Sequence, residues 1–174
     1  MELTTELAAI GATGRLGIVR PGVPSTTIVA AYGQPSAEER VHRAHEWPRW
    51  LHYSGLRLLF CRCRLLETAV VEIRPEGLQL PDAGHRRVDT PAAPVTEPVM
   101  TAALAGAGCP WEVREHWNIG RDRILWTAPV PGAEVGFSFT GPGLRASGRP
   151  VEWSLRTLVL SRAVEHDCPE PGGT

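Results

Sequence analysis

Two stretches of the chain repeat one pattern of hydrophobic, small and polar residues at a constant offset. Each predicts a short helix that ends at a Gly-x-Pro signal, because glycine accepts the left-handed conformation that closes a helix and proline prevents its continuation. A hydroxyl of Ser25 or Thr26 is expected to cap the first helix, and Thr96 the second. The aligned residues are Thr26 and Thr101, Ala30 and Ala105, Gly33 and Gly108, and Pro35 and Pro110.

Each predicted helix is followed by residues that alternate between apolar and polar, which is typical of strands. The polar residues 36–46 fit either a loop or a further helical turn. Ahead of the first copy, the apolar residues of segment 3–10 have helical spacing and predict an additional helix. The predicted strands are 50–53, 56–60 and 65–73 in the first copy, and 111–117, 123–127, 134–139 and 153–160 in the second.

These patterns predict an α+β protein of two tandem repeats. Each repeat is a short helical segment followed by an antiparallel β-meander, with the sheets side by side and the helices on one face. The predicted organisation is an N-terminal helical segment (1–17), a first repeat (18–74), a Pro/Gly-rich linker (75–94), a second repeat (95–162) and a flexible tail (163–174).

Composition narrows the class of protein. The 174 residues carry a net charge of −1, and all 18 basic residues are arginine, so there is no basic stripe for nucleic acid. The high content of Ala, Gly, Pro and Arg is typical of a GC-rich, actinobacterial gene. The chain begins with acidic rather than basic residues and has no long apolar run, so we expect a cytoplasmic protein with no membrane contact and reduced cysteines.

Cysteine and histidine do not follow a familiar metal-binding spacing. Cys61 and Cys63 are expected on one face of a strand, and Cys168 lies in the predicted tail. Grouping the first two with His42, His45 and His52 gives neither CxxC nor HxxxH spacing, so the sequence predicts no metal ligands.

Other catalytic and cofactor motifs are also weak. Residues 11–17, Gly-Ala-Thr-Gly-Arg-Leu-Gly, imitate a dinucleotide-binding turn, but that turn needs a strand before it and a long helix after it. Here a helix is predicted before it, and Pro21 stops any helix after it. Cys109 with His116 lacks a third, orienting group. We therefore predict no enzyme, no catalytic residues and no cofactor.

A resemblance rests on particular segments of both copies. The module resembles the repeat of the beta-lactamase inhibitory protein family and of the small outer-membrane assembly lipoproteins, over about residues 18–162. It implies a sheet with helices on one side and a broad, free surface on the other that binds a protein. The segments are Pro21-Gly22, Gly33-Gln34-Pro35, Trp50, Tyr53, 56–60 and 70–73 in the first copy, and Gly108-Cys109-Pro110, Trp111, 135–139 and 155–160 in the second.

Tryptophan and arginine dominate binding energy at protein interfaces, and the chain has six tryptophans. We expect a non-enzymatic binding protein, monomeric or weakly dimeric, most concretely an immunity or inhibitor protein for a toxin encoded nearby. The alternative is a small-ligand or accessory protein of a biosynthetic pathway that uses the groove between the repeats. The expected contacts are Trp47, Trp50, His52, Trp126, the same-face pair Arg62 and Arg64, and Arg145 and Arg149 in the 141–150 loop.

Overall fold

The structure, a computed structural model, describes residues 3–43, 45–73, 78–79, 87–88, 94–114, 122–141, 153–164 and 166–169. Its helices are α1 (Leu3–Thr13), α2 (Ser25–Tyr32) and α3 (Glu97–Gly106). Its strands are β1 (Ala37–Arg40), β2 (Arg49–Tyr53), β3 (Leu56–Phe60), β4 (Leu66–Glu72), β5 (Leu78–Gln79), β6 (Arg87–Val88), β7 (Glu112–Val113), β8 (Asp122–Val130), β9 (Ala133–Thr140) and β10 (Ser154–Arg162).

Eight of these strands form one antiparallel sheet in the order β1-β2-β3-β4-β10-β9-β8-β7, while β5 and β6 pair separately. The α+β class is therefore confirmed. The prediction of two sheets side by side differs from the structure, because β4 and β10 pair directly and make the sheet continuous. Val71 lies opposite Leu158, and Val70 opposite Val159, in that central pairing.

The core lies between one face of the sheet and the helices. Strand residues that face the helices are buried and alternate with half-exposed residues on the other face, as in β9 and β4. Each fully buried large apolar side chain contributes about 1.5–3 kcal/mol by leaving water. The core side chains include Phe60, Phe137 and Phe139 from the strands and Leu7, Ile10, Ile28, Met100 and Leu104 from the helices.

The helix positions agree with the sequence prediction, but their caps agree only in part. Thr96 occupies the N-cap of α3 as predicted, without a side-chain cap hydrogen bond. The prediction for α2 is wrong, because Pro24 rather than Ser25 or Thr26 occupies its N-cap. The first turn of α2 is held by tertiary contacts instead, since the Ser25 N–H donates to the Arg64 carbonyl at 2.9 Å.

Strand boundaries depart from prediction at both edges of the sheet. The ambiguous segment 36–46 contains β1, an entirely exposed edge strand whose polar residues become extended by pairing with β2. At the other edge, β7 covers only two residues, and Trp111 before it is 41% exposed.

Residues 115–120, most of the 75–94 linker and 170–174 lie outside the described residues. In the described ranges, every helix is too short or too polar to traverse a bilayer.

The Gly-Ala-Thr-Gly segment has a structural role at the end of α1. Its first three residues belong to the last turn of α1, and no strand precedes them, so the segment lacks the geometry of a dinucleotide-binding turn. The Gly11 carbonyl accepts hydrogen bonds from Thr127 Oγ1 at 2.8 Å and Cys109 Sγ at 3.3 Å. Gly11 thus packs closely against both α3 and the sheet, and a side chain there has no room.

We expect Gly11→Ala to destabilise the protein, although alanine alone favours a helix by about 0.5–1 kcal/mol. The new Cβ would lie 2.7 Å from Leu104 Cδ2 and 3.1 Å from Phe137 Cζ. Overpacking of this kind lowers the free energy of unfolding by about 1–3 kcal/mol, measurable by urea denaturation. The control is Gly106→Ala in α3, whose Cβ meets nothing within 4 Å. Equal stability of the two variants would contradict the close approach.

Candidate functional site

Several loops meet at one end of the sheet, which we call the turn end. It comprises the β1–β2 connection (41–48), the β3–β4 turn (61–65), the start of α2 and residues 166–169. The β3–β4 turn is closed by hydrogen bonds from the Cys61 N–H to the Leu65 carbonyl at 3.0 Å and from the Arg64 N–H to the Cys61 carbonyl at 2.9 Å. This turn carries Arg62 and Arg64, two of the predicted contact residues, together with Cys61 and Cys63.

The β3–β4 turn overturns one sequence prediction. Cys61 to Arg64 were expected on a strand, where residues two apart share a face. Strand β3 ends at Phe60, and Arg64 has φ +60°, so the chain reverses here and the strand rule does not apply. Arg62 and Arg64 are both exposed but are not a same-face strand pair.

Trp47 is half-buried at the turn end and contacts several neighbouring side chains. Its ring packs edge-on against Phe60, with 6.3 Å between the ring centroids. The guanidinium carbons of Arg49 and Arg64 lie 5.1 and 5.4 Å from the centroid of the Trp47 ring. Cation–π contacts at exposed sites contribute about 0.5–1 kcal/mol each. Trp47 therefore positions arginines as well as adding apolar surface.

A concavity of about 490 Å³ opens at the turn end and is lined mainly by arginine and histidine side chains. Among the described residues, Arg43, Arg62 and Arg64 have no carboxylate within ion-pair distance, whereas Arg49 pairs with Glu38. These three arginines outnumber the two carboxylates of the same segments, Glu46 and Asp167, so the turn end carries a small positive charge on a chain of near-zero net charge. Sequence reasoning missed Arg43 because its loop position has no pattern of its own. The lining residues are Val41, His42, Arg43, His45 and Arg62.

Trp50 and His52 lie apart from the turn-end group. Both are half-exposed residues of β2 that alternate with buried Leu51 and Tyr53, so they face away from the helices. The Arg57 guanidinium lies 5.9 Å from the Trp50 ring centroid, and His52 Nε2 lies 3.8 Å from Glu39 Oε2. We call the side of the sheet away from the helices the open face. It carries aromatic surface, and its charged groups lie close to partners, as Arg57 does to Trp50 and Glu39 to His52.

Trp126 belongs to the same open face in the second half, but only 8% of its surface is exposed. Its ring covers Gly136, where a Cβ would lie 3.1 Å from ring atoms, and Arg114 lies 5.2 Å from the ring centroid. Glu134 and Glu112 hydrogen-bond to Arg114 and raise its pKa. The structure thus places Trp126 within the sheet's own packing. Arg145 and Arg149 lie outside the described residues.

The turn end also gathers four metal-ligating side chains that the sequence analysis did not group. Cys61, Cys63, His166 and Cys168 each offer one sulfur or ring nitrogen, and these atoms all lie within 4.8 Å of one another. Cys61 is buried, Cys63 exposed, and the other two half-buried. The available signal was a pair of short motifs, Cys-x-Cys and His-x-Cys, but the second was assigned to a flexible tail.

The three thiols of this cluster differ in acidity. Burial raises the pKa of Cys61, although the backbone N–H groups of Leu65 and Cys63 donate hydrogen bonds to its sulfur. Lost solvation and the hydrogen bond to Cys168 raise the pKa of Cys63 to about 11. Lost solvation opposes ionisation of Cys168 as well, but hydrogen bonds from the Cys63 N–H and the Cys61 thiol lower its pKa overall.

Comparison of the chain with protein-family models, curated proteins and solved structures found no match. The resemblance to the beta-lactamase inhibitory protein family stays a prediction.

We expect Arg64→Ala to lower the free energy of unfolding by about 0.5–1 kcal/mol, because it removes a guanidinium from the Trp47 ring. Alanine at position 64 keeps the backbone cost of the positive φ that arginine already has. The change in stability therefore reports the loss of the contact with the Trp47 ring. The matched control is Arg62→Ala, which should change stability by no more than about 0.5 kcal/mol. Equal losses for the two variants in urea denaturation would contradict the role given to Trp47.

Proposed function

We propose that this protein is a non-enzymatic binding protein that docks an acidic surface of one partner protein at the turn end. The observation that carries the proposal is a concavity of about 490 Å³ lined by Arg43 and Arg62, with Arg64 on the same turn as Arg62. None of the three arginines has a carboxylate within ion-pair distance in the described part of the chain. The guanidinium of Arg64 packs over the ring of Trp47, which itself packs against Phe60.

Physical chemistry favours an acidic partner for such a surface. Arginine forms bidentate hydrogen bonds with carboxylates, and arginine and tryptophan are enriched among the residues that dominate interface energy. A local positive patch on a chain of net charge −1 attracts an acidic surface without attracting polyanions in general. The concave shape also lets a projecting side chain lose its water on binding.

The most concrete form of this function is immunity, in which the protein occludes a toxin encoded by a neighbouring gene of its own cell. The element order supports the two-repeat organisation on which that idea depends. A helix and four antiparallel strands, α2 with β1–β4, are followed by a second helix and four strands, α3 with β7–β10. Immunity implies a cytoplasmic protein that acts in a one-to-one complex.

The proposal is tested with the product of the adjacent gene, purified and titrated calorimetrically with this protein. We expect a one-to-one complex whose affinity falls as salt concentration rises, since exposed charges are screened. Arg43→Glu and Arg62→Glu should each weaken binding by about 2 kcal/mol or more, roughly 30-fold, because a repulsive charge replaces an attractive one.

The control is Arg156→Glu, an exposed residue at the opposite end of β10, which should bind as the wild type does. The Trp50→Ala variant distinguishes binding at the turn end from binding on the open face of the sheet. If Trp50→Ala weakens the complex and the turn-end variants do not, the open face of the sheet is the binding surface and the proposal is wrong. Failure of the folded protein to bind the adjacent product would also overturn it.

A further inference from the structure

We propose that Cys61, Cys63, His166 and Cys168 bind a single zinc ion that fastens the C-terminal segment to the β3–β4 turn. These four residues bring three thiols and one imidazole together, and their ligand atoms lie within 4.8 Å of one another. Three cysteines and one histidine form one of the standard ligand sets of structural zinc. The proposal replaces the expectation, drawn from the sequence, that the chain has no metal ligands.

The spacing of the cluster suits one ion. With Zn–S bonds of about 2.3 Å, tetrahedral geometry places ligand sulfurs about 3.8 Å apart, within the 4.8 Å limit of the cluster. The ligand atoms are therefore already close to the spacing that a single ion requires. A cluster of two or more irons needs its ligands farther apart, because bridging sulfides separate the metal atoms.

A second observation is the state of the His166 ring. Its Nε2 atom is buried and has no hydrogen-bond partner among the described residues. A buried polar atom without a partner costs about 1–3 kcal/mol, so native structures rarely retain one without a reason. A metal ion bound among the neighbouring sulfurs would satisfy such a nitrogen.

The ligand types favour zinc over other common ions. Thiolate and imidazole are soft or borderline ligands, whereas Mg²⁺ and Ca²⁺ prefer oxygen. Four protein ligands complete the tetrahedral shell and leave no position for a substrate or a reactive water, so the site is structural. Its effect is to close a loop between residues 63 and 166, which restricts the unfolded chain more than a local crosslink does.

The first experiment is elemental analysis of the full chain, purified with a tag that does not bind metals and without chelator. We expect one zinc per chain. Replacement by Co²⁺ should give the strong visible absorption of a tetrahedral thiolate site. Removal of zinc by a chelator should lower the melting temperature, and added Zn²⁺ but not Mg²⁺ should restore it.

Cys63→Ser and His166→Ala should each weaken zinc affinity by more than about 100-fold, the upper range for losing even a supporting group. Because Cys63 is exposed, we expect its variant to leave the core intact, and circular dichroism checks the fold. The matched controls are Cys109→Ser and His45→Ala, which change a thiol and an imidazole outside the cluster and should retain one zinc per chain.

Two results would overturn the proposal. One is a folded wild-type protein that binds neither zinc nor Co²⁺ in the titration. The other is a disulfide between two of Cys61, Cys63 and Cys168, detected as two rather than four free thiols after denaturation without reductant. Both readouts use the wild-type chain, so they decide the proposal even if a ligand variant fails to fold.

Discussion

The antiparallel pairing of β4 with β10 is the contact on which the rest of the structure depends. It places the last strand of the first half beside the last strand of the second, with Val71 opposite Leu158 and Leu160 opposite Ala69. One sheet of eight strands results, and its apolar face is long enough to take all three helices. Without this pairing each half would be a four-stranded sheet with an exposed inner edge, which is prone to pair with other chains.

The same pairing also creates the turn end. Because β10 runs antiparallel to β4, its last residues leave the sheet beside the turn where β4 begins. His166 and Cys168 therefore reach Cys61 and Cys63, about a hundred residues earlier in the chain. The short β3–β4 turn thus carries two cysteines of the cluster together with Arg62 and Arg64. Its backbone also holds the start of α2, so a single turn connects the helix layer, the sheet and the C-terminal segment.

Much of the fold was accessible from the sequence, because periodicity and helix-ending signals are local. The three helices and the strands from β2 to β4 and β8 to β10 lie close to their predicted positions. Strand β1 was missed since its four residues, Ala-Glu-Glu-Arg, are exposed and have no apolar alternation. The burial of Trp126, one of the predicted contact residues, could not be derived from the sequence, because it depends on the bare backbone of Gly136 on the adjacent strand.

The sequence by itself determined the α+β class, the helix ends at Gly33 and Gly108, and most strand positions, since these depend on side-chain spacing and backbone preference within a few residues. Only the tertiary structure decided that the sheet is continuous, that Arg43 joins Arg62 around one concavity, and that His166 and Cys168 meet Cys61 and Cys63. The physical reason is that strand pairing joins residues distant along the chain, and no local pattern specifies which edges pair.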